Sequence, residues 1–74
     1  MPNELETVVL TRDVAEVGLA AGDIGAVVHR FGADRFEVEF VAGSGETVAL
    51  LTLTARDVRP LAPSEILHAR ALVS

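Results

Sequence analysis

Phe36-Glu37-Val38-Glu39-Phe40 is the stretch that decides the fold. Apolar and acidic residues alternate in it with a period of two, the signature of a strand with one buried face and one charged face. Upstream, Gly22-Asp23-Ile24-Gly25 reads as a turn leading into a second strand, Ala26-Val27-Val28-His29-Arg30-Phe31. Gly32-Ala33-Asp34 ends that run. Gly22, Asp23 and Gly25 are structural turn residues, with the glycines placed where φ is positive or two backbones approach closely. Downstream, Ala42-Gly43-Ser44-Gly45 is a hairpin turn. Glu46 to Leu53 forms the next strand. Its apolar phase runs through Val48 and Leu50, then shifts to Leu51 and Leu53, which predicts a bulge or a sharp bend.

Toward the N-terminus, Leu5 to Thr11 is short and β-branched and reads as the first strand. The loop from Arg12 to Gly22 carries Val14, Val17 and Leu19, so it should fold back onto the core. Toward the C-terminus, Thr54-Ala55-Arg56-Asp57 fits one 3₁₀ turn capped by Thr54. Val58-Arg59-Pro60-Leu61 is a last short strand, and Pro60 places it at an edge. After Pro63, Ser64 can cap a helix from Glu65 to about Leu72, with Ile66, Leu67, Ala71 and Leu72 as an imperfect apolar stripe. The expected fold is mainly all-β. Five short strands close into a small SH3-like barrel over residues 5–61, because closure covers their edges. A short C-terminal α-helix over 63–73 then packs on the barrel or on a partner.

Composition excludes several classes. The chain has 74 residues, no cysteine, and a net charge of -5. At this length there is one domain, burying only about 60% of the surface that its unfolded form exposes. Leu, Ile, Val and Phe number 9, 2, 11 and 3, too many for a disordered chain. Without cysteine there is no disulfide, thiolate metal site or cysteine nucleophile. The start Met1-Pro2-Asn3-Glu4 is not basic, and no apolar run is long enough to span a bilayer. The reading is a soluble, cytoplasmic protein with no membrane partner.

The motifs Thr7-Val8-Val9-Leu10-Thr11-Arg12-Asp13, Gly18-Leu19, Gly22-Asp23-Ile24-Gly25, Val38-Glu39-Phe40, Leu51-Thr52-Leu53 and Val58-Arg59-Pro60-Leu61 carry a resemblance. Together they resemble a small uncharacterised bacterial family of free-standing SH3-like proteins. The turn and strand pair is also similar to KOW motifs and to the barrel of nitrile hydratase subunits. The resemblance covers most of Leu5 to Leu61 and brings no established activity. It implies the barrel fold, and an antitoxin-like or immunity-like role as a partner protein.

Catalytic chemistry finds little support. His29 falls on a strand and His68 on the expected helix, so nothing in the sequence joins them as metal ligands. Ser44 and Ser64 read as a turn residue and a helix cap, and Ser74 ends the sequence. None sits in a nucleophile elbow. Glu37 and Glu39 stand about 7 Å apart on one strand face, and the phenylalanines behind them mark that face as solvated. No catalytic, metal or cofactor residue is assigned. The chain has neither Trp nor Tyr, and its phenylalanines read as core, which leaves no aromatic groove for a proline helix.

The expected activity is therefore protein binding, without catalysis. Glu4, Glu6, Glu37, Glu39 and Glu46 would form one negative face if their strands align, suited to a basic protein partner. Arg30 and Arg35 flank one turn, and Arg56 and Arg59 flank the 3₁₀ turn, with Asp34 and Asp57 nearby as partners. Those arginines carry the alternative, a KOW-like nucleic-acid or ribonucleoprotein accessory, which the acidic balance disfavours. A second copy could pair through an edge strand or through the C-terminal helix.

Overall fold

The computed structural model describes residues 6–72. Five strands follow one another: β1 (Thr7–Leu10), β2 (Ile24–Phe31), β3 (Arg35–Val41), β4 (Thr47–Thr54) and β5 (Val58–Pro60). They form one antiparallel sheet in the order β4-β3-β2-β1-β5. The alternating stretch is the middle of β3, with Phe36, Val38 and Phe40 buried on the inner face. Val8 and Leu10 of β1, Val27 of β2, Ala49 and Leu53 of β4 and Val58 of β5 meet them there. Val14 and Leu19 complete this core from the β1–β2 loop.

That loop folds back as its apolar residues predict. Val14 and Leu19 exchange backbone hydrogen bonds of 2.9 and 3.1 Å across a 3₁₀ turn at Ala15–Val17. Val17 at the tip stays outside, 36% exposed. Gly22 takes φ +95°, and its N–H donates to the Leu10 carbonyl at 2.8 Å, which brings the loop back to β1. Gly25 serves close approach instead. A Cβ there would lie 2.7 Å from Val38 Cγ1 and 3.0 Å from the Glu39 carbonyl oxygen. A side chain at that position would push β2 off β3.

Two expectations need correction. First, the barrel does not close: β4 and β5 are the two sheet edges and do not pair with each other. β5 has three residues and ends on Pro60, which lacks the N–H that a closing ladder requires. Leu61 lies beyond β5, Thr11 beyond β1, and Leu5 outside the described residues. The single turn expected before β5 is present, closed by one i→i+3 hydrogen bond. Its order comes from Asp57, whose N–H donates to the Thr54 carbonyl at 2.9 Å. The Asp57 carboxylate in turn accepts from the Thr54 N–H at 2.9 Å and from its hydroxyl at 3.1 Å.

Second, no C-terminal α-helix forms. One turn begins, with the Glu65 N–H donating to the Ala62 carbonyl at 3.0 Å and the Glu65 carboxylate accepting from the Ala62 N–H at 2.7 Å. Nothing propagates it, because Ile66 is 90% and Leu67 64% exposed. A short helix without a packed face is marginal in water. The described tail, 61–72, is irregular instead, and the expected end at Val73 lies outside the described residues.

The phase change foreseen in β4 exists, one turn of the pleat earlier than expected. The β3–β4 register slips between Phe40 and Val41, which leaves Val48 as the extra residue. Ala49 and Leu53 then point inward, and Leu50 points out at 52% exposure. A second irregularity, between Val27 and His29 in β2, has no trace in the apolar pattern.

Candidate protein-interaction face

The outer face of β2, β3 and β4 is the surface on which the alternation leaves polar groups. Cross-strand register defines its rows. Glu37 stands between His29 and Thr52, and Glu39 between Ala26 and Leu50. Arg35 stands between Phe31 and Thr54. Both glutamates therefore share one face, as the period of two requires. The Thr47 hydroxyl donates to Glu39 Oε2 at 2.6 Å and fixes that carboxylate.

Three apolar side chains frame the two acids. Phe31 is 44% exposed, Leu50 52% and Val41 56%. Phe31 corrects the expectation that all phenylalanines are core. It follows the bulge after Val27, lies in the outward phase, and meets the His29 ring edge-on with centroids 4.5 Å apart. The face thus combines negative charge at its centre with accessible apolar area around it.

The other predicted acids are not all drawn in. Glu46 sits in the β3–β4 turn, where its N–H donates to Ser44 Oγ at 3.3 Å. Glu6 lies one residue before Thr7, out of phase with the Thr7–Ala26–Glu39 row. Glu4 is outside the described residues.

The arginines separate. Arg35 shares the outer face, but Arg30 opposes Phe36 in the inward phase and donates from Nε to the Gly32 carbonyl at 2.9 Å. Their turn does not build a joint cationic patch. The Asp57 carboxylate pairs with Arg12 at 2.8 Å, and Arg59 pairs with Glu65 at 2.6 Å. The Asp34 carbonyl accepts the Ala55 N–H at 3.0 Å.

A second feature was hidden in the sequence. The tail crosses a groove of about 510 Å³, lined by Leu19, Ile24, Phe40 and Val48 from the sheet side and by Leu67 and Leu72 from the tail. Arg70 anchors it, donating from Nε and Nη2 to the two Asp23 oxygens at 2.8 and 2.5 Å and from Nη2 to the Gly18 carbonyl at 2.9 Å. Asp23 also accepts the Ala20 N–H at 2.9 Å. The turn residue is thus also the anchor of the tail, 47 positions away. His68 lines this groove, while His29 lies on the outer sheet face.

Among the described residues, three carboxylates have shifted pKa values, all downward. Asp23 is lowered mainly by the Arg70 hydrogen bonds. Asp57 is lowered first by the Thr54 backbone N–H and then by Arg12. Glu65 falls to about 2, chiefly through Arg59. Each stays ionised at neutral pH, and each ties a loop or the tail to the sheet. Among the described residues, no three His, Asp or Glu side chains converge as metal ligands, and no helix is long and apolar enough to cross a membrane.

These features define a small, open, five-stranded antiparallel domain with an acidic outer face. The chain belongs to the family described as Domain of unknown function (DUF4926), whose model matches residues 4–60. The match ends at the last residue of β5 and leaves out the described tail. No curated protein and no solved structure matches the chain.

Proposed function

We propose that this chain is a non-enzymatic protein-interaction module whose outer β2-β3-β4 face binds a basic protein. One observation carries the reading: Glu37 and Glu39 lie side by side on β3, framed by exposed Phe31, Leu50 and Val41. The carboxylates would steer a cationic partner and set its orientation, and the apolar rim would supply the burial. The net charge of -5 favours such a partner over nucleic acid. Separation of Arg30 and Arg35 onto opposite faces weakens the KOW-like alternative further.

The finer fold assignment belongs to the same proposal. A sheet ordered β4-β3-β2-β1-β5, a long folded-back β1–β2 loop and a tight turn before β5 support an SH3-like domain left open at its edges. Within that reading, an antitoxin-like or immunity-like protein that masks a basic partner is the preferred role. Affinity capture with the tagged chain in extracts of its native cell, at low and at high salt, tests it. A basic protein retained at low salt and released at high salt is the expected result. Recovery of no protein at any salt rejects the reading.

A further inference from the structure

The two sheet edges are built differently. β5 has three residues, ends on Pro60, and offers little to a neighbouring strand. β4 has eight residues, Thr47–Thr54, with no charge and no proline, and among the described residues β3 is its one strand neighbour. Protected edges carry charge, proline or a covering segment. β4 carries neither charge nor proline, and it is covered only at its two ends, by the tail groove at Val48 and by the Asp57 carboxylate at the Thr54 N–H.

We infer that β4 is a self-association edge, pairing antiparallel with β4 of a second copy about a two-fold axis at Leu51. The backbone sets the phase. Thr54 gives its N–H to the Asp57 carboxylate, so it faces away from β3. Antiparallel alternation then turns the N–H and C=O of Leu50 and Thr52 to the same unpaired side. In the inferred register, Leu50 of each copy stands opposite Thr52 of the other and exchanges both backbone hydrogen bonds with it. Ala49 stands opposite Leu53, so inward residues meet inward residues, and a slip by one would break that match.

Charge selects this register from the others that keep the faces aligned. Glu46 and Arg56 flank β4 at equal distance in sequence from Leu51. Pairing about Leu51 therefore brings the Glu46 end of one copy to the Arg56 end of the other, twice. A net charge of -5 opposes association elsewhere on the surface, but the uncharged strand and its two opposite-charge ends do not. The contact is isologous and closes at two copies. It is independent of the basic partner, and it would merge two acidic faces into one continuous sheet surface.

Sedimentation equilibrium of the purified chain, across a concentration series and without any partner, tests the inference. The expected mass approaches twice 7.8 kDa. Thr52→Pro removes an outward N–H without touching the β3 ladder, and it should return the mass to 7.8 kDa with an unchanged β circular-dichroism spectrum. Should that variant fail to fold, the charge pair gives the second reading. Glu46→Arg and Arg56→Glu should each weaken the dimer about tenfold or more, and the double swap should restore it. In the dimer, hydrogen exchange should slow at the Leu50 and Thr52 amides. A monomer at every concentration overturns the inference. So does a dimer indifferent to all these changes, an open-ended polymer, or protection of Leu50 and Thr52 that appears only with a basic protein added.

Discussion

The sheet and the tail contain similar proportions of apolar residues and use them in opposite ways. In the sheet, Phe36, Val38 and Phe40 recur every second residue, and all three are buried. In the tail, Ile66, Leu67 and Leu72 follow neither a strand nor a helix period, and all three are exposed. What orders the tail is electrostatic: Arg59 with Glu65 near its start, and Arg70 with Asp23 near its end. Hydrophobic content yields structure only where its spacing matches an element that has a surface to pack against.

The strongest way to break the contrast is through the sheet. Phe36→Ala should cost about 3–5 kcal/mol, since Phe36 is fully buried at the centre of the core. In a domain of this size that loss approaches the whole stability, and a denaturant titration should find the variant largely unfolded. Gly25→Val should cost about 1–3 kcal/mol by overpacking, because its Cβ would press on Val38 and on the Glu39 carbonyl. The urea midpoint reports this, and a wild-type midpoint would remove the close β2–β3 approach from the explanation.

The tail should respond to acid before the sheet does. The Asp23 pKa is held below its ordinary value by Arg70. A depressed carboxylate contributes stability above its unfolded pKa, near 3.9, and loses it as pH falls through the folded value. Below about pH 4, the Arg70 end should release while β-sheet ellipticity persists. Limited pepsin digestion across this range should first cut within 61–72. Simultaneous loss of tail and sheet would contradict separate ordering. The smallest effect belongs to Ile66→Ser. At 90% exposure it should change stability by less than about 0.5 kcal/mol, and a larger loss would mean that the tail packs after all.

Most of the sheet was legible because its information is local. Period-two alternation marks β3, Gly22 marks the turn before β2, and Pro60 marks a strand at an edge, whereas Gly25, expected in that turn, lies inside β2 where it packs against β3. Val14 and Leu19 announced a loop that returns to the core. Features set by distant residues were not legible. Whether β4 meets β5 depends on the length of β5, and the Asp23–Arg70 link joins positions that no pattern connects. The expected helix shows the opposite error, a local start signal at Pro63 and Ser64 without a packing surface to extend it. The site was half legible. Alternation put Glu37 and Glu39 on one face, but the slip after Val27 placed Phe31 outward and split Arg30 from Arg35. A bulge moves side chains between faces without changing composition.

The most direct measurement is parallel affinity capture with the wild-type chain and with the Glu37→Lys, Glu39→Lys double variant, both shown by circular dichroism to be folded. The expected result is a basic protein recovered by the wild type at low salt and lost from the variant. Equal recovery by both baits, or recovery of nucleic acid that depends on Arg30 and Arg35, would contradict the acidic face as the binding surface.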